Sequence, residues 1–106
     1  MSEHFVQKRI DEFHDLRQGS GTVAQYESRF LDLLQYVDYL QDEKLQVNRF
    51  IRGLNADIAG AVRMLSPPTL EKAVEKAYLA EENRTKAQEH RDRNKSKFQE
   101  RIQAFQ

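Results

Sequence analysis

Residues 13–30 read Phe13-His14-Asp15-Leu16-Arg17-Gln18-Gly19-Ser20-Gly21-Thr22-Val23-Ala24-Gln25-Tyr26-Glu27-Ser28-Arg29-Phe30, and this stretch decides the fold. Before it, Val6, Ile10, Phe13 and Leu16 recur in steps of four, three and three. That spacing puts them on one face of a helix expected from about Ser2 to Arg17. Gly19-Ser20-Gly21 then breaks the pattern, because glycine accepts the positive φ of a tight turn. Thr22 and Gln25 have the spacing of a capping box, in which the hydroxyl and the side-chain amide each bond the other residue's backbone N–H. A second helix is expected from Thr22, with Val23, Tyr26, Phe30, Leu33, Leu34 and Val37 as its apolar stripe.

The same logic runs outward along the chain. Asp42 is a good N-cap for a third helix, and Glu43 suits the positive end of its dipole. Val47, Phe50, Ile51 and Leu54 form its core face, and Gly53 falls where a left-handed C′ residue is expected. Asn55 is placed to cap a fourth helix with Ile58, Ala61, Val62 and Leu65 turned inward. Ser66-Pro67-Pro68 stops it, since proline has no N–H and disfavours helix in the residue before it. A fifth helix starts near Thr69, with Leu70, Ala73, Val74, Ala77 and Tyr78 inward. No useful β-alternation and no repeat of fixed period appears. The expectation is an all-α, compact five-helix bundle with short connections.

The chain has 106 residues, 39% of them apolar, which suits one modest core. Lysine plus arginine and aspartate plus glutamate both number 17, so no global field draws the chain to nucleic acid or membrane. The charge is nevertheless uneven. Residues 1–83 carry ten basic and fourteen acidic side chains, a balance of −4, and residues 84–106 carry seven and three, a balance of +4. Residues 1–83 are therefore read as the folded domain and 84–106 as a charged linker or partly helical extension. Phe98, Ile102 and Phe105 form an isolated apolar face there, available to dock on the domain or to meet a copy of itself.

Little points to catalysis or to a bound cofactor. No cysteine is present, which removes disulfides, thiol nucleophiles and Cys-containing zinc sites. His4, His14 and His90 form no metal-ligand pair and read as surface residues. Gly19-Ser20-Gly21 follows no strand, so it is not a nucleophile elbow, and it lacks the lysine of a phosphate loop. The acidic pairs Asp11-Glu12, Asp42-Glu43 and Glu81-Glu82 are expected on solvated faces or at helix starts. The reading is a non-enzyme with no cofactor, no metal and no small-molecule substrate. No apolar run is long enough for a membrane span, and the first residues do not resemble a secretory signal. Arg84, Lys86, Arg91, Arg93, Lys95 and Lys97 are weak candidates for RNA contact. Three acids dilute them and no aromatics interleave, so a solvated charged helix is the plainer reading.

Phe13-x-x-Leu16-Arg17-Gln18-Gly19, followed by Thr22-Val23-x-x-Tyr26-x-x-Arg29-Phe30-x-x-Leu33, resembles the Gag capsid domain of gypsy-type LTR retrotransposons. Glu43 with Phe50-Ile51-x-Gly53-Leu54, and Pro68-Thr69-Leu70-Glu71-Lys72-Ala73 with Ala77 and Glu81-Glu82, are similar to later parts of that family's pattern. Gln18, Gly19, Tyr26, Arg29 and Phe30 also resemble the major homology region of retroviral capsids. The loop is one residue shorter than in that motif and its acidic residue is absent, so Thr22 is expected to take over the capping role. Gln25 stands where the transposon pattern often has glutamate. The resemblance covers roughly residues 5–82. It implies the C-terminal lobe of a capsid, a five-helix unit also seen in the lobes of the neuronal Arc protein.

The same resemblance implies a function. On that basis the chain is expected to be a structural self-assembly module, homodimeric, making capsid lattice contacts in a cytoplasmic, virus-like particle. A domesticated Gag fold that binds a partner protein or RNA is the alternative. By the same resemblance, Gln18, Gly19, Thr22, Tyr26, Arg29 and Phe30 form the structural motif: Gln18 ties the first two helices together, Tyr26 and Phe30 are core, and Arg29 either pairs with a nearby group or lies exposed. The family's dimer contact falls mainly on the third helix. Its outward face here carries Lys44, Leu45, Asn48, Arg49 and Arg52. Leu45 is the large apolar residue on that face, either a dimer anchor or an ordinary exposed leucine.

Overall fold

The computed structural model describes residues 2–104, which form five α-helices and no strand. They are α1 (Glu3–Asp15), α2 (Val23–Leu34), α3 (Glu43–Gly53), α4 (Ala56–Met64) and α5 (Leu70–Ala104). Local caps start most of them. Ser2 Oγ accepts from Phe5 N (3.2 Å) and Asp42 accepts from Lys44 N (2.8 Å). The Thr22–Gln25 capping box is present in both directions, at 3.1 and 3.0 Å. Thr69 Oγ1 accepts from Lys72 N at the start of α5 (3.1 Å). Gly19 turns the chain between α1 and α2 with φ +59°, the conformation glycine adopts without a Cβ clash.

The core is aromatic at its centre. Phe13, Phe30 and Phe50 are fully buried, and Tyr26 is 3% exposed. Phe13–Phe30 and Phe30–Phe50 ring centroids lie 5.2 Å apart, and Tyr26–Phe50 5.1 Å. These separations fall in the favourable range for aromatic pairs. Val23, Leu33, Val47, Ile51, Ile58, Val62, Ala73 and Ala77 close the core around them. The small side chains of Ala73 and Ala77 let the first turns of α5 pack against α2, α3 and α4.

Several expectations are corrected. α1 ends at Asp15 with Leu16 as its cap, two residues before Arg17. α2 ends at Leu34, and Val37 is buried from the following turn instead. Ala61 is exposed and Leu65 is 54% exposed, because α4 turns Ile58, Ala59 and Val62 to the core instead. Tyr78 is exposed along its edge and donates to Glu27 (2.6 Å), which pushes its pKa up to about 12. Asn55 makes no side-chain cap; its N–H donates to Gln18 Oε1 instead (3.0 Å). Glu81 is half-buried and not simply solvated, since its Oε2 accepts from Val23 N at the first turn of α2 (2.8 Å). Glu43 likewise accepts from Leu70 N (3.0 Å), so two carboxylates each satisfy an orphan N–H of another helix.

Residues 84–104 continue the helix that begins in the domain, with no break in the backbone near residue 84. α5 runs 35 residues from Leu70, about 52 Å at the usual rise, and its second half projects from the bundle. Its buried residues are confined to Ala73, Val74 and Ala77. Phe98 and Ile102 are exposed, and Phe105 lies outside the described residues.

Gly53 is also not a left-handed C′ residue; it is the last residue of α3, and its φ is not positive. Its lack of a side chain serves a close approach. A Cβ there would lie 2.7 Å from Tyr26 Cζ and 2.9 Å from Cε1. Gly60 in α4 has open space at the same test. Helix propensity alone predicts that alanine stabilises both sites by up to about 1 kcal/mol. Gly60→Ala is expected to do so, whereas Gly53→Ala is expected to destabilise by about 1–3 kcal/mol through overpacking. Urea denaturation of the two variants measures the sign; stabilisation by Gly53→Ala would contradict the close-packing account.

Candidate interaction surface

The residues of the Gln18–Phe30 motif are brought together, and they act on structure. Gln18 is 5% exposed and is the buried polar side chain of the core. Its backbone N–H donates to Gly53 O (2.7 Å), its Nε2 donates to Gly21 O (3.1 Å), and its Oε1 accepts from Asn55 N. One glutamine thus joins the α1–α2 turn to the α3–α4 turn. Tyr26 donates its hydroxyl to Phe50 O (2.9 Å), and burial raises its pKa. Arg29 is exposed and pairs with Glu12 (3.1 Å), which also pairs with Arg9 (3.0 Å). Exposed pairs of this kind contribute little to stability.

The five candidates on α3 separate into two groups. Leu45, Asn48 and Arg52 lie along the outward crest, with Lys44 beside them, and all four are exposed, whereas Arg49 is half-buried. Leu45 is 48% exposed. Arg49 leaves this set. Its Nη2 donates to Phe13 O (2.7 Å) and Leu16 O (3.1 Å), and its guanidinium sits 5.0 Å from the centroid of the Phe13 ring. It therefore neutralises the C-terminal carbonyls of α1 while packing on the core. Burial is the main cause of its lowered pKa. Helical periodicity shows that Arg49 flanks the crest, but not that α1 ends beside it.

The crest stands between two hollows. One is floored by Val47 and Ile51 and rimmed by Arg63 and Pro67-Pro68 from the α4–α5 turn, where Ser66 adopts φ +45°. The other is walled by His14 from the end of α1, Arg17 just past its cap, Tyr39 from the α2–α3 connection, and Arg49 and Arg52. Lys44 lines the first, Leu45 and Arg52 the second, and Asn48 both. A ridge between grooves is the shape that one helix offers another in packing.

The tail cations are arranged differently. Arg84, Arg91 and Lys95 fall on one side of α5, and Lys86, Arg93 and Lys97 on the opposite side. Arg84 is engaged by Asp57 (3.4 Å) and Lys86 by Glu82 (3.0 Å). They make no continuous basic stripe. Among the described residues there is no cluster of three or more acidic or histidine side chains placed to hold a metal. No described helix is long and apolar enough to cross a membrane. No family model, curated protein or solved structure matches the chain.

Arg49 and Arg52, three residues apart, are expected to behave oppositely. Arg49→Met removes the guanidinium bonds to Phe13 O and Leu16 O and its charge over the Phe13 ring, and is expected to cost about 1–3 kcal/mol. Arg52→Met at the crest is expected to stay within about 0.5 kcal/mol. Thermal or urea unfolding of the pair reads the difference, and equal effects would contradict the division of the two roles.

Proposed function

We propose that the chain is a self-associating structural module, built like the C-terminal lobe of a Gag capsid protein, that pairs through the crest of α3. One observation carries the reading: α3 buries Val47, Phe50 and Ile51 on one side and presents Leu45 on a polar ridge flanked by two hollows on the other. In an isologous dimer the same patch faces itself, so Leu45 meets its own copy near the two-fold axis, and Asn48 and Arg52 border it. The resemblance of residues 13–33 and 43–54 to the Gag pattern supports the same helix as the contact.

Charge gives this reading a distinct signature. Pairing sets the exposed Lys44 and Arg52 of one copy near those of the other. Repulsion between exposed like charges is screened as salt rises. Self-association is therefore expected to strengthen from low to moderate salt. Leu45→Asp puts a desolvated charge at the contact while leaving the core untouched. Light scattering coupled to size exclusion, run over a concentration series, is expected to show a dimer for the parent chain and a monomer for Leu45→Asp at equal helicity by circular dichroism. Undiminished dimerisation of Leu45→Asp would overturn the placement. A parent chain that stays monomeric at all concentrations would overturn self-association by this unit alone.

A further inference from the structure

The hollow beside Tyr39 is more than the flank of a ridge. It measures about 430 Å³ and is walled by Arg17, Arg49 and Arg52, with His14, Tyr39 and Leu45 between them. No acidic side chain lines it. None of the three arginines forms an ion pair with a carboxylate among the described residues. Arg17 Nη1 is held by Leu16 O (2.7 Å) and His14 O (3.2 Å), and Arg49 Nη2 by the same turn. These carbonyls use one end of each guanidinium and fix its orientation. Arg52 makes no side-chain hydrogen bond within the described residues. Tyr39 stacks on His14 with the rings 10° from parallel, and its hydroxyl lies 2.9 Å from His14 Nε2. Tyr39 is still 60% exposed while lining the hollow, so much of its side chain stays accessible there.

We propose that this hollow binds a short stretch of single-stranded nucleic acid, with one base stacked on Tyr39 and the flanking phosphates on Arg17 and Arg52. Unpaired guanidiniums suit phosphate, and an open aromatic face accepts any base. An acidic peptide would satisfy the cations but leave the Tyr39 face unused. Arg17 and the Tyr39–His14 pair are already fixed by their own contacts, so less ordering is needed on binding. The exposed acids nearby in sequence, Asp15, Asp38 and Asp42, together with the acidic balance of residues 1–83, hold the affinity down and make it salt-sensitive. The site lies away from the tail cations, and it does not depend on self-association.

Fluorescence anisotropy of an end-labelled oligouridine with the full chain tests it. Binding is expected at low salt and to weaken as salt rises, the reverse of the trend expected for dimerisation. Tyr39→Ala is expected to lower affinity about five-fold or more, the loss of one stacked base. Arg52→Gln is expected to make the salt dependence shallower by roughly 0.7 in slope, one phosphate contact on a single strand. Replacing Arg91, Arg93, Lys95 and Lys97 together by glutamine is expected to leave binding unchanged. Absence of binding at low salt, or loss confined to the tail variant, would overturn the proposal. So would polyglutamate competing as well as oligouridine, since the hollow would then be a site for acidic chains. Circular dichroism checks that Tyr39→Ala folds, and Arg52→Gln decides the matter if it does not.

Discussion

The fold depends on the contact between the ring of Tyr26 and the backbone of α3 at Gly53. The tyrosine hydroxyl donates to Phe50 O from inside the core, and its ring occupies the space a side chain at position 53 would need. This sets the separation of α2 and α3. Gln18 holds the same place from the other side, through Gly53 O and Asn55 N. Together they lock two turns that are distant in sequence, and the aromatic cluster of Phe13, Phe30 and Phe50 fills the space so defined. Buried donors and acceptors at such a junction must all be matched, because each orphan costs on the order of 1–3 kcal/mol.

That junction determines what α3 can offer outside. With one face held by Tyr26 and the core, and Arg49 anchored to the end of α1, the outward residues Leu45, Asn48 and Arg52 are displayed on a fixed helix. A rigid, shallow ridge of this kind is the surface on which the proposed pairing rests. The neighbouring hollow has a different character, with guanidiniums and an open tyrosine ring. The proposed pairing surface and the proposed nucleic-acid site share Leu45, Asn48 and Arg52, so the two proposals together predict competition for one face of the domain.

The helices are legible in the sequence because their signals are local. Apolar spacing, the Thr22–Gln25 box, the Asp42 cap and Ser66-Pro67-Pro68 each act within a turn or two. The misread positions answer to distant partners. Gly53 sits in a good place for a helix-ending glycine, and only the arrival of Tyr26, 27 residues earlier, explains why it is helical instead. Glu81 looks like one of a solvated pair until α5 brings it to Val23 N, 58 residues away. Arg49 has the phase of an outward residue, and its reach to Phe13 O depends on how α1 and α3 pack. Tyr39 belongs to no helix and stands alone in a connection, and nothing in the sequence places it beside His14. The length of α5 is hidden because apolar periodicity fades after Ala80, while the helix continues on polar residues with good intrinsic propensity.

The central claim is that Leu45 lies near a two-fold axis, and the absence of cysteine from the chain allows a direct test. A single cysteine at position 45 is to be compared with one at position 31, since Leu31 and Leu45 are each 48% exposed. A disulfide between identical positions forms readily only when the two Cα atoms come within about 7 Å. Under mild oxidation the account predicts fast, concentration-dependent formation of covalent dimer by Leu45→Cys and slow formation by Leu31→Cys. Equal rates, or faster crosslinking through position 31, would contradict pairing through the crest of α3.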